Sequence, residues 1–182
     1  MAKKKLILIG GGGHCRACID VIEQTNEYCI EGILDNINVL DTKVLGYKIV
    51  GDDSDILRYI KEECLFLITI GQIKSVESRK RIAYDLEKSN AIVPNIISPY
   101  AYVSKHAKLG NGTIVMHGVT VNAGAKVGSH CILNTGCIIE HDVLIGNYNH
   151  ISTSAIINGG SIIGDDVFIF CCCCCISCCF CF

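Results

Sequence analysis

Glu140, His141, Asp142 and His150 stand in the run IIEHDVLIGNYNHIS, residues 138–152, among isoleucine, leucine and valine spaced as in a buried strand. A histidine can take up and return a proton near neutral pH, and an adjacent carboxylate can fix which ring nitrogen carries it. Either these four side chains decorate a solvated face, or an apolar scaffold displays an acid–base site. A second group is Gly10–His14, read GGGGH. Glycines between a strand and a helix let backbone approach a ligand, and a helix N-terminus favours anionic groups. A dinucleotide fingerprint requires G-x-G-x-x-G. In the two possible registers the third glycine is replaced by Cys15 or Arg16, although Asp35 falls near the place of an acidic ribose contact.

The elements that must carry these groups divide the chain in two. Residues 3–96 alternate strand and helix signals. KKLILIG is a short apolar strand ending in glycine, and residues 14–26 fit a helix with Ala17, Val21 and Ile22 on one face. YCIEGILD (28–35) and LFLITIG (65–71) read as further strands, and AIVPNI (91–96) as a fourth. DSDILRYIKEE (53–63) and KSVESRKRIAYDLEKS (74–89) read as helices, the first beginning with capping residues. Strands alternating with helices argue for a parallel α/β sheet, here a Rossmann-like domain over residues 1–96.

From Ile97 the period changes. Every sixth residue to Ile169 (97, 103, 109 and onward) is a branched aliphatic without a gap. Four residues after each comes, in most cases, a small or short side chain, such as Ala107, Ala125 or Ala155. Gly110, Gly128, Gly146 and Gly164 add a period of eighteen. Three hexads thus make one coil of three short strands, stacked on the next at about 4.8 Å, with aliphatics toward the axis and small residues at the corners. Such a coil faces the axis with aliphatics, so His141 and His150, half a coil apart, are expected to project outward from different faces. The hexads span 97–169.

The unbroken [LIV]-G-x-x-x-x hexads, together with LILIGGGGH, GILDN, ITIGQ, IEHDVLIG and NHIS, resemble the NeuD/PglD-type sugar acetyltransferases of the left-handed β-helix (hexapeptide-repeat) acyltransferase family. The resemblance covers about residues 4–169. It implies an acetyl-CoA-dependent acetyltransferase acting directly, without an acyl-enzyme, on an amino or hydroxyl group of a bacterial nucleotide-activated amino sugar or sialic acid. It implies His141 as general base, Asp142 as the carboxylate that raises its basicity, with Glu140 ranked below it as an orienter, and His150 as a contact to acetyl-CoA. It implies a nucleotide-sugar site at Gly12, Gly13, His14, Asp35, Asn36 and Gly71. It also implies a homotrimer with active sites between neighbours.

Composition sets the limits. Of 182 residues, 50% are hydrophobic and 19% charged, with net charge −2, which describes a globular chain without a basic patch for nucleic acid. The apolar run after the initial lysines is too short for a signal peptide or membrane span, so a cytoplasmic protein is expected. His106, His117 and His130 lie in different coils with no metal-ligand spacing, and no metal is expected. Six cysteines (Cys15, Cys18, Cys29, Cys64, Cys131, Cys137) are scattered as reduced thiols, and eight crowd CCCCCISCCFCF at 171–182. Residues 170–182 read as an anomalous tail where the hexad register stops, and with it a weakened acetyl-CoA site is expected. Two other readings stay open: a non-catalytic hexapeptide-repeat relative with a truncated CoA site, and a nicotinamide-dependent enzyme using the Gly10–Gly13 loop.

Overall fold

The computed structural model describes residues 2–72, 75–170 and 174–175. The chain forms two compact units, residues 1–94 and 95–182.

In the first unit the elements run β1 (Lys4–Ile9), α1 (Gly13–Thr25), β2 (Tyr28–Leu34), β3 (Lys43–Val44), β4 (Tyr47–Gly51), α2 (Ile56–Lys61), β5 (Leu65–Ile68) and α3 (Glu77–Lys88). They build one sheet of order β3-β4-β2-β1-β5, parallel except for the edge strand β3. Leu6 through Ile9 are at most 1% exposed, as expected of a central parallel strand covered on both faces. α1 buries Cys15, Cys18, Ile19, Val21 and Ile22 and ends at Asn26, whose φ of 56° closes the helix. Asp52 caps the next helical segment, its carboxylate accepting from the Ser54 N–H at 2.8 Å.

One expectation is corrected here. The fourth parallel strand is β4, not 91–96. β4 enters through a hairpin whose central residues Leu45 (φ 48°) and Gly46 (φ 92°) both take the left-handed conformation of a tight two-residue turn. The leucine hides that turn from a reading based on the usual turn residues. In 91–96, Pro94 has no N–H to give a ladder, and Ile92 contributes only its carbonyl, to the Phe66 N–H at 3.0 Å. Ile96–Ile97 instead pair in the second unit, with Ile114–Val115.

The second unit is a three-sided parallel β-helix. Two-residue strands recur every six residues, and each pairs with the strand eighteen residues on. One face stacks Tyr102–Val103, Thr120–Val121, Ile138–Ile139 and Ile156–Ile157. The next stacks Lys108–Leu109, Lys126–Val127, Leu144–Ile145 and Ile162–Ile163, and the third runs from Ile96–Ile97 to Phe168–Ile169. From Val115 to Ile169 every sixth residue is at most 5% exposed, each such side chain worth roughly 1.5–3 kcal/mol of burial. A residue of positive φ marks every corner, recurring each six residues from Gly112 to Asp166.

One corner explains the eighteen-residue glycine period. A Cβ on Gly128 would lie 2.5 Å from the Gly146 carbonyl oxygen, and one on Gly110 2.5 Å from the Ser129 nitrogen, so only glycine lets the next coil come this close. Inside that corner, polar side chains satisfy the backbone. Thr113 donates to the Gly128 carbonyl at 2.9 Å, Cys131 to that of Gly146 at 3.2 Å and Asn149 to that of Gly164 at 2.7 Å. The hexad register also goes one step past its expected stop: the backbone of Cys174–Cys175 pairs with Ile156–Ile157, because a ladder is made by main-chain groups whatever the side chains. The rest of the cysteine-rich tail lies outside the described residues.

Candidate active site

His141 and Asp142 sit at the corner between Ile138–Ile139 and Leu144–Ile145. Side chains at consecutive positions normally diverge. Here Asp142 has φ 59°, and this left-handed step turns its carboxylate back onto the imidazole, with Asp142 Oδ2 3.0 Å from His141 Nδ1. A carboxylate can only accept, so Nδ1 carries the proton and Nε2 presents its lone pair. Both side chains are about 70% exposed (68% and 72%), so the pair adds little stability; what it fixes is ring orientation and tautomer. The backbone of the corner is pinned on both sides: the Asp142 N–H donates to the Ala123 carbonyl at 3.1 Å, and the Gly160 N–H to the His141 carbonyl at 3.0 Å.

The coils on either side make room for the pair. A Cβ on Gly159, eighteen residues after His141, would lie 2.6 Å from Nε2, and one on Gly124, eighteen before Asp142, would collide with Oδ1. These two glycines escape a reading of the sequence alone; adding and subtracting one coil length from the candidate pair would have found them. Glu140 is held elsewhere, accepting from Asn122 Nδ2 at 2.9 Å.

His150 departs from expectation. By alternation with the inward Ile151 it points outward, yet it is only 6% exposed. It stands in register between Ile132 and Phe168, whose ring packs edge-on against it at 4.8 Å, and its Nε2 lies 3.2 Å from Asn134 Nδ2. The bulk of its strand neighbours covers it. It belongs to a different face from His141, as the half-coil spacing requires.

The first unit gathers its polar groups at the carboxyl ends of its parallel strands, where open α/β sheets bind ligands. Each glycine of the loop after β1 has its own reason. Gly10 has φ 103°, and a Cβ on Gly11 would lie 2.9 Å from Asp35 Oδ2, whereas Gly12 and Gly13 have open space where a side chain would be. The Gly11 N–H donates to Asp35 Oδ2 and the Asn36 N–H to Asp35 Oδ1, both at 2.6 Å, so one carboxylate after β2 ties the two loops together. A Cβ on Gly71, after β5, would lie 3.4 Å from the Cβ of His14. A cavity of about 510 Å³ includes Asp35 and Asn36 in its lining but not Gly12, Gly13, His14 or Gly71. It adds Asp52 and Asp53, which follow β4, and Arg81 on α3, none of which the sequence singles out as a binding residue. Arg81 pairs with Asp53 at 2.8 Å.

The buried thiols of Cys15, Cys18 and Cys137 have no nucleophilic setting. Burial pushes Cys15 up to about 11 and Cys137 up to about 12, and raises Cys18 further still. Among the described residues no cluster of three or more His, Cys, Asp or Glu is placed to hold a metal ion, and no helix is long and apolar enough to cross a membrane.

Residues 5–86 match the family model of the PglD N-terminal domain. The chain is similar in structure to perosamine N-acetyltransferase from Caulobacter crescentus, a histidine-to-asparagine mutant in complex with CoA and GDP-perosamine, with TM-score 0.83 and 28% identity over 92% of this chain and 77% of that one. It is also similar to the acetyltransferase domain of PglB from Neisseria gonorrhoeae in complex with acetyl coenzyme A, with TM-score 0.81 and 23% identity over 92% and 88% of the two chains. A third is WeeI from Acinetobacter baumannii, with TM-score 0.69 and 17% identity over 92% of each chain. No curated protein matches the chain. An α/β domain followed by a coil of hexads bearing a histidine–carboxylate corner defines the left-handed β-helix, or hexapeptide-repeat, class. Within it, residues 5–86 match the PglD N-terminal domain, and the chain as a whole is similar in fold to sugar N-acetyltransferases.

Proposed function

We propose that the protein transfers the acetyl group of acetyl-CoA to the amino group of a nucleotide-activated sugar, with His141 as general base. The observation that carries this reading is the His141 Nδ1–Asp142 Oδ2 pair at 3.0 Å, which leaves Nε2 free to accept a proton on an exposed corner. The amine nitrogen attacks the thioester carbonyl carbon, His141 Nε2 takes the ammonium proton, the C–S bond breaks and the proton passes to the departing sulfur. Asp142 holds the tautomer and stabilises the imidazolium formed on the way. The two similar structures whose descriptions name CoA or acetyl coenzyme A, one of them an N-acetyltransferase holding GDP-perosamine, support both co-substrates and an amino acceptor.

In this reading Gly12, Gly13, His14 and Gly71 line the approach of the nucleotide, Asp35 and Asn36 bind it, and His150 contacts acetyl-CoA. The working form is a homotrimer, and the protein acts in the cytoplasm, where acetyl-CoA and nucleotide sugars are made. The test is CoA release with a panel of GDP- and UDP-linked amino sugars and free sialic acid. Turnover with a nucleotide amino sugar is expected, and His141→Ala is expected to cut it about 10²–10⁴-fold with the fold intact. A variant as fast as the parent protein would remove His141 from the role, and turnover confined to sialic acid would remove the nucleotide-sugar acceptor.

A further inference from the structure

We propose that Lys105, Lys108 and Lys126 form a diphosphate-binding strip leading to His141. Residues 95–170 contain these three lysines and no arginine, and all three fall on one corner and one face of the β-helix. Lys108 and Lys126 are register neighbours on the face that continues to Leu144, three residues past His141. Lys105 holds in its coil the place that His141 holds two coils later, about 10 Å along the axis at the usual strand spacing. The position between them is Ala123, beside Gly124, so the corner positions from Lys105 to His141 carry small side chains between the two.

Two like charges stacked on adjacent strands weaken a sheet. No ion pair offsets these: the three side chains are exposed and make none among the described residues. The two carboxylates of the neighbouring corner are engaged, Glu140 by Asn122 and Asp142 by His141. A row of unpaired ammonium groups one to two coils from a proton acceptor fits a ligand with two adjacent anionic groups and a reacting group some 10 Å further on. Both co-substrates of the function proposed above, on which this inference rests, contain a diphosphate: the nucleotide sugar and acetyl-CoA.

The experiment is calorimetric titration of the full chain with inorganic pyrophosphate, GDP, UDP and CoA, at low and moderate salt. The chains compared are the parent, the triple variant Lys105→Gln/Lys108→Gln/Lys126→Gln, and a control of equal charge change, Lys48→Gln/Lys61→Gln/Lys88→Gln. Circular dichroism and melting verify that each variant is folded. The strip variant is expected to lose about 10-fold or more in pyrophosphate affinity while the control keeps it, since a charge-assisted contact is worth more than a diffuse field. A matching loss for GDP or UDP but not CoA makes the nucleotide sugar the source, and the reverse makes it CoA. Equal affinities in parent and strip variant, equal losses in strip variant and control, or no pyrophosphate binding by the parent overturn the proposal. Lysine-dependent pyrophosphate binding by a chain that shows no acetyl transfer would keep the strip and sink the proposed reaction, so the two readings fail separately.

Discussion

Replacing Gly159 by alanine tests whether the empty place beneath His141 is part of the machinery. The new Cβ would lie 2.6 Å from Nε2, 2.7 Å from Cε1 and 3.1 Å from Cδ2 of the imidazole. To restore an ordinary contact of about 3.4 Å the ring must retreat by about 0.8 Å, and it can, because the side chain is 68% exposed. Its hydrogen bond to Asp142 and the position of Nε2 move with it. A misplacement of about 1 Å costs up to about 10²-fold in an oriented reaction, so kcat is expected to fall roughly 10- to 100-fold. Gly159 does not have the positive φ that penalises a side chain, so stability should change by no more than about 0.5 kcal/mol. Gly160→Ala gives the opposite signature. Its φ of 72° strains an alanine, at about 1 kcal/mol, while no atom within 4 Å, and so no part of the His141 ring, meets the new Cβ. Steady-state kinetics and thermal melts of the two variants decide. A Gly159→Ala enzyme with parental kcat, or one whose loss is matched by Gly160→Ala, refutes the reasoning.

Four further expectations follow from the structure. Asp142→Ala should slow turnover by up to about 10²-fold. Asp35→Ala leaves the Gly11 and Asn36 N–H groups without their acceptor and should destabilise the first unit by about 1–3 kcal/mol, read by denaturant melts, and abolish thermal protection by a nucleoside diphosphate; a melt that does not shift would mean water replaces the carboxylate. The raised thiols of Cys15 and Cys137 make stability fully present below pH 9, the ordinary thiol value, and lost as pH rises toward about 11 and 12. The slope is at most roughly 1.4 kcal/mol per pH unit per thiol, and Cys15→Ala/Cys137→Ala should flatten it. In site-resolved alkylation at pH 8, the exposed Cys29 should react well before Cys15, Cys18 or Cys137.

The period of the residues is enough to specify the β-helix, and with it the outward projection of His141 and Asp142. An axial position needs an aliphatic every six residues and a close coil contact needs a glycine every eighteen, so the architecture is written as a period, and a period survives in one dimension. The strand–helix alternation marked the first unit for the same reason. Other features depend on approaches between residues far apart in the chain. The left-handed turn of Asp142 back onto His141 is a local backbone choice that aspartate permits but does not require. The glycines that accommodate the pair are neighbours only because one coil takes eighteen residues. His150 is buried because Ile132 and Phe168 flank it, and β4 joins the sheet through a leucine–glycine hairpin with no common turn signal. Residue type announced which groups could do chemistry; the stacking of coils and the pairing of strands decided which of them meet, because both bring together atoms that the chain itself keeps far apart.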